Sequence, residues 1–188
     1  MLLKEIYSHA TVVNSGETLT TVNEFTDQIP ALRPQVLLET AYEILKLIKS
    51  DFDKIITEED KGAPLATVLS LLTGKPLAMA RWYPYSLKSL NRNVVDIRSE
   101  YFTGELYLNG IAPGDKVIIF DDTLSTGGTL ISLVKSVENA GGEIKQLICA
   151  VEKVQQLGRQ YVREKTGHEV ESVIKITLDE DKVTVLNA

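Results

Sequence analysis

The run Val117-Ile118-Ile119-Phe120-Asp121-Asp122-Thr123-Leu124-Ser125-Thr126-Gly127-Gly128-Thr129 decides how this chain is read. Its apolar opening, β-branched residues followed by an aromatic, predicts a buried strand. Two adjacent carboxylates, Asp121 and Asp122, stand at the C-terminal end of that strand. A loop of hydroxyls and glycines then opens onto an apolar-periodic helix, Leu130 to Ala140. Ligands of open α/β sheets bind beyond the carboxyl ends of strands. A Ser/Thr/Gly loop feeding a helix N-terminus suits a phosphate, because free backbone N–H groups and the helix dipole point toward it. Acids beside such a cradle suit sugar hydroxyls or a metal, so the run reads as a sugar-phosphate site. The plain structural alternative is a solvated Asp-Asp strand end followed by a helix capped by Thr126 or Thr129.

The flanking sequence alternates the same two kinds of element. Pro34 opens a segment with apolar residues at Val36, Leu37, Ala41, Ile44, Leu45 and Ile48, close to helical spacing. Asp53 to Thr57 reads as a strand, Pro64 to Leu72 as a helix ended by Gly74, and Leu77 to Ala80 as another strand. Arg81 to Glu105 has no clear period, and long irregular stretches inside a compact domain are usually functional or mobile. Beyond the central run, Ile144 to Val151 reads as a strand and Gln155 to Thr166 as a polar helix stopped by Gly167. Val170 to Leu178 and Lys182 to Leu186 then read as strands joined by a turn at Asp179-Glu180-Asp181. Strands alternating with helices predict an α/β fold, a single-domain, mostly parallel twisted sheet covered by helices on both faces.

Composition narrows the function classes. At 188 residues the chain is long enough for one full core and short for two. Its 44% hydrophobic and 24% charged residues are ordinary for a globular domain, and a formal charge of −6 leaves no footprint for nucleic acid. No apolar run reaches membrane-spanning length, and Met1-Leu2-Leu3-Lys4-Glu5 lacks the build of a secretory signal, so no membrane partner and a cytoplasmic location are expected. Cys149 is the one cysteine and falls in the apolar run Leu147–Val151, which predicts burial. His9 and His168 lack ligand-spaced partners, and no Gly-x-Ser-x-Gly elbow occurs.

The central run resembles the signature of type I phosphoribosyltransferases, enzymes that use 5-phosphoribosyl 1-diphosphate (PRPP). The resemblance implies that Asp121 and Asp122 bind the ribose hydroxyls. It also implies that Thr123, Leu124, Ser125, Thr126, Gly127, Gly128 and Thr129 enclose the ribose and hold the 5′-phosphate. In the same family the loop corresponding to Glu58-Glu59-Asp60-Lys61-Gly62-Ala63-Pro64 cradles the leaving pyrophosphate. Asp60, Lys61 and Gly62 are thus candidates for that role, with Lys61 where the adenine branch has arginine. A cis peptide at Asp60-Lys61 is a feature the family often carries here.

Ser99-Glu100-Tyr101-Phe102-Thr103-Gly104-Glu105-Leu106-Tyr107-Leu108-Asn109-Gly110 is similar to runs in the adenine branch and in archaeal hypoxanthine/guanine enzymes. By that resemblance Glu100 is the acid/base beside the purine and Tyr101 helps close a flexible flap, residues 81–106. Residues 1–33 correspond to a small hood in the same domain. The flap departs from its relatives: Arg81-Trp82-Tyr83 keeps one basic residue, leaving Arg81 as the pyrophosphate contact, with Lys88, Arg92 and Arg98 as substitutes. Tyr101, Ser125 and Lys153 are candidates for the base pocket. Lys153 favours a 6-oxopurine, because an ammonium can donate to O6 and has nothing to accept from an amino group. The resemblance further implies Mg²⁺ carried mainly by PRPP and pyrophosphate, with no assigned protein ligand, and a homodimer. The expected reaction is transfer of ribose 5-phosphate from PRPP to a purine. The alternatives are a PRPP-binding regulator without catalysis and a transferase for another base.

Overall fold

The computed structural model of the chain describes residues 1–15, 18–98 and 103–186. Helix α1 (Leu2–Ser8) leads into a hairpin of β1 (Thr11–Ser15) and β2 (Thr18–Val22), then the short α2 (Glu24–Asp27). Helix α3 (Pro34–Leu47) begins with its proline in the first turn, where the missing N–H costs nothing. Strand β3 (Lys54–Glu58), helix α4 (Ala63–Thr73) and strand β4 (Leu77–Ala80) follow, with Gly74 at φ +67° closing α4. A second hairpin joins β5 (Val94–Arg98) to β6 (Thr103–Tyr107). The remaining elements are β7 (Lys116–Leu124), α5 (Gly128–Asn139), β8 (Glu143–Lys153), α6 (Gly158–Thr166), β9 (Val170–Asp179) and β10 (Lys182–Leu186).

Six strands form one sheet in the order β10-β9-β8-β7-β3-β4, with β10 antiparallel and the others parallel. The expected architecture is therefore the observed one. Period-2 alternation splits β7 between two cores. Ile118 and Phe120 pack with α1, α3 and α4 residues such as Tyr7, Ile44 and Leu65, whereas Val117 and Ile119 pack with Leu133 and Val137 of α5. Cys149 is buried in the second of these clusters, as its apolar context predicts.

The site follows from how this sheet is connected. The chain leaves β3 toward β4 on one side and leaves β7 toward β8 on the other, so β3 and β7 flank the topological switch point. Their ladder pairs Lys54 to Ile56 with Val117 to Ile119 and stops there, while β7 stays paired to β8 as far as Leu124 with Glu152. Beyond Ile56 and Ile119 the two strands part, and the crevice opens between Glu58 and Asp121. Pairing to β8 also makes the twin aspartates part of β7, where the sequence placed them just past its end.

The stretch 81–106 contains more regular structure than its sequence suggested. Strand β5 alternates strictly, with Val95 and Ile97 buried and Val94, Asp96 and Arg98 exposed. The hairpin lies on α5, where the Ser132 hydroxyl donates to the Asp96 carbonyl at 3.1 Å and the Asn93 amide donates to the Ser136 carbonyl at 2.8 Å. Among the described residues no helix is long and apolar enough to cross a membrane.

Candidate active site

A cavity of about 240 Å³ occupies the switch point. Residues 121–130 form one wall, and Glu58, Asp60, Lys61 and Trp82 form the wall opposite. Tyr7, Thr20, Thr21 and Thr26 of the N-terminal segment cover it, and Lys153 closes the end of β8. Asp121 through Thr129, Asp60, Lys61 and Lys153, all singled out from the sequence, are thus brought together.

On the first wall, Gly127 adopts φ +85° and starts α5. A side chain there is excluded twice over, because a Cβ would meet Val162 Cγ2 at 2.7 Å and the Gly158 carbonyl oxygen at 2.9 Å. Among the described residues no side chain caps helix α5, so its first-turn amides have neither a helical acceptor nor a capping oxygen there. The Ser125 hydroxyl oxygen is buried beside them and has no hydrogen-bond partner among the described residues. Uncompensated donors at a helix N-terminus constitute an anion site.

Gly158 fixes this loop from behind. A Cβ on Gly158 would lie 2.9 Å from the Ser125 carbonyl carbon and closer still to its oxygen, so only glycine allows the approach. Arg159 clamps the same end of α6 to β8 and β9. Its Nε donates to Glu152 Oε1 at 2.9 Å and its Nη2 to Ser172 Oγ at 3.0 Å, with further bonds to Glu152 Oε2 and the Val170 carbonyl.

The acids carry the strongest electrostatics. One carboxylate oxygen from each of Glu58, Asp121 and Asp122 lies within 4.8 Å of the others, and all three side chains are buried. Burial pushes the Asp121 carboxyl well up, and the Asp122 and Glu58 charges push it further. Burial also raises Asp122, against hydrogen bonds from Thr123 and Asp121 and the attraction of Lys61. Glu58 is raised by burial too, although it accepts the Gly62 and Asp60 amides at 2.9 and 2.7 Å. Crowded, desolvated carboxylates are relieved by a hard cation or by hydroxyl donors. Buried oxygen donors so close together fit Mg²⁺ chemically.

Glu58 was missed in the sequence because it read as one member of a charged loop. Its Oε2 also accepts the Trp82 indole N–H at 3.2 Å. Tyr7 was missed as well, since nothing in its helix links it to a site more than a hundred residues away. Burial and the Asp122 charge push its phenol up, so it stays protonated, and it is hydrogen-bonded to Thr123 and Asn23.

Other expected residues stand differently. Gly62 is buried behind the loop, where a Cβ would fall on the Thr57 hydroxyl and lie 3.5 Å from Asp121 Oδ1. Arg81 is not in the cavity wall; its guanidinium sits 4.4 Å from the Tyr85 ring centroid and 5.7 Å from that of Tyr83. The cis peptide among the described residues is Ile29–Pro30, so the Asp60–Lys61 bond is trans, with the amides beside it satisfied by Glu58. Glu100 and Tyr101 lie outside the described residues.

The chain is similar to proteins of known name and to solved structures. The chain is 39% identical over 185 residues to a hypoxanthine/guanine phosphoribosyltransferase of Methanothermococcus okinawensis, covering 98% of this chain and 99% of that one. It is 40% identical over 186 residues to a protein of the same name from Methanocaldococcus infernus, covering 98% and 100%. The crystal structure of adenine phosphoribosyltransferase from Thermoanaerobacter pseudethanolicus superposes with a TM-score of 0.76 at 25% identity, covering 92% of this chain and 99% of that one. The phosphoribosyl transferase domain model matches residues 26–181, which takes in both walls of the cavity, and the chain belongs to that family.

Proposed function

We propose that this protein transfers ribose 5-phosphate from PRPP to a 6-oxopurine, giving the nucleoside 5′-monophosphate and pyrophosphate in nucleotide salvage. The carrying observation is the pair of buried aspartates set between an uncapped, glycine-hinged helix N-terminus and the lysine-bearing loop across the cavity. The names of the relatives support the same reaction class.

In this reading Ser125 to Thr129 hold the 5′-phosphate through hydroxyls and backbone amides. Asp121 and Asp122 accept hydrogen bonds from the ribose 2′ and 3′ hydroxyls, and Lys61, Asp60 and Gly62 belong to the pyrophosphate end. The bond from the anomeric carbon to the pyrophosphate oxygen breaks as that carbon gains cationic character, and a purine ring nitrogen forms the new bond. The nitrogen's proton leaves to a base, a role the resemblance gives to Glu100. Buried aspartates next to the cationic carbon stabilise it, and Lys61 offsets charge on the departing group. Mg²⁺ bound through PRPP supplies further charge neutralisation, with Glu58, Asp121 and Asp122 as the protein oxygens available to it. Lys153, whose Nζ donates to Thr20 Oγ1 at 3.0 Å at the cavity's edge, donates to the purine O6.

The reading includes one catalytic domain over residues 1–188, a closing flap at residues 81–106 with Arg81 and Tyr101, and a cytoplasmic homodimer. Incubation with PRPP, Mg²⁺ and each nucleobase in turn, following pyrophosphate release, tests it. Release with hypoxanthine or guanine is expected. Binding of PRPP without turnover on any base would favour the regulator, and turnover confined to a pyrimidine would overturn the base assignment. Light scattering of the purified protein tests the dimer.

A further inference from the structure

The cavity's pyrophosphate end is held from outside the cavity. Lys61 Nζ donates to Asp27 Oδ1 at 3.1 Å, and Asp27 belongs to α2 in the N-terminal segment, not to the loop or the sheet. Asp27 is itself fixed. Its Oδ2 accepts the Asn23 amide at 3.1 Å and the Thr26 hydroxyl at 2.7 Å. Asn23 in turn caps α2 through its side-chain oxygen, at 2.8 Å from the Phe25 amide and 3.1 Å from that of Thr26. One carboxylate oxygen is thus spent on rigidity, and the other is presented to the lysine.

A lysine side chain has four rotatable bonds and an ammonium with three donors. Left alone on a loop it samples many positions, and ordering it upon binding costs affinity. Tethering the ammonium to a fixed carboxylate removes much of that cost before a ligand arrives.

We propose that Asp27 is a positioning residue, which sets Lys61 at the pyrophosphate end of the cavity and acts on the reaction only through that lysine. The inference rests on the assignment of this cavity to PRPP. It makes the segment before α3 part of the donor site, in addition to its place over the cavity.

The test is a double-mutant cycle on the full chain: Asp27→Ala, Lys61→Met, and both together. The dissociation constant of inorganic pyrophosphate with Mg²⁺ is measured by calorimetry, and KM is measured for PRPP and for the base. Asp27→Ala should weaken pyrophosphate and raise KM for PRPP by about fivefold, the scale of one partly exposed ion pair. KM for the base should not move, and in the Lys61→Met background Asp27→Ala should have no further effect. An equal loss in both backgrounds, or a base KM shifted as much as that for PRPP, would overturn the proposal in favour of a merely structural role. If Asp27→Ala does not fold, Asp27→Asn removes the charge at constant shape and carries the same cycle. Pyrophosphate binding by the unaltered protein without purine turnover would sink the proposed reaction and leave this inference standing. No pyrophosphate binding by the unaltered protein would sink both.

Discussion

Replacing Gly158 by alanine probes the phosphate loop without touching a residue assigned to the ligand. The added Cβ would stand 2.9 Å from the Ser125 carbonyl carbon and 3.0 Å from Leu124 Cδ1. Carbon atoms in contact prefer about 3.5–4.0 Å, so the two backbones must part by roughly 1 Å. Helix α6 is not free to move, because Arg159 is tied to Glu152, Ser172 and the Val170 carbonyl. The loop Ser125–Gly127 must therefore yield, and it is the segment proposed to hold the 5′-phosphate. Overpacking of this kind costs about 1–3 kcal/mol, which for a chain of this size lowers Tm by about 2–12 °C. A misplacement of about 1 Å at a binding element can cost about a hundredfold in rate. The expected result is a folded protein whose kcat/KM for PRPP falls about a hundredfold, read by pyrophosphate release alongside a thermal melt. A lowered Tm with unchanged PRPP kinetics would show that α6 absorbs the strain and would refute the argument.

Changing Asp121 and Asp122 together to asparagine should abolish turnover and also stabilise the ligand-free fold. Both carboxyls bind protons more tightly folded than unfolded, so their contribution falls as pH rises from the ordinary value of 3.8 through the raised folded values. The Tm advantage of the variant should accordingly widen over that window and then level off; an advantage independent of pH would contradict the assignment. Lys153→Gln should lower kcat/KM for hypoxanthine and guanine relative to adenine by about ten- to a hundredfold, measured in competition, and an unaltered ratio would remove Lys153 from base selection. Arg159→Ala leaves the buried Glu152 carboxylate short of its main partner. Discounted for the exposed third of the arginine side chain, it should cost about 2–3 kcal/mol, read in urea melts, and a loss below about 0.5 kcal/mol would show that Ser172 suffices.

The sheet and the phosphate loop were legible because local sequence determines them. Val117 to Phe120 must be a strand buried on both faces, and Gly127 sits where only a positive φ completes the turn into α5. Residues that join the site through tertiary approach alone left no such trace. Glu58 belongs to a charged run until β3 and β7 part and bring it to Asp121, and Tyr7 lies far from Thr123 along the chain. The β5 strand left a signal, the alternation of Val95 and Ile97 with charged neighbours, but five residues at period two are easily lost in a polar stretch. Arg81 shows the opposite limit. Its charge was legible, whereas its stacking on Tyr83 and Tyr85 depends on how the chain turns after β4.

Trp82 is the chain's one tryptophan, and its indole stands in the cavity wall with its N–H on Glu58. Ultraviolet emission excited at the red edge of protein absorption therefore originates from the cavity and nowhere else in the molecule. An anion or a cation arriving beside that carboxylate changes the field on the indole, and with it the colour and yield of the light. The protein thus carries its own optical probe, in the cavity wall that also holds Lys61 and its Asp27 tether.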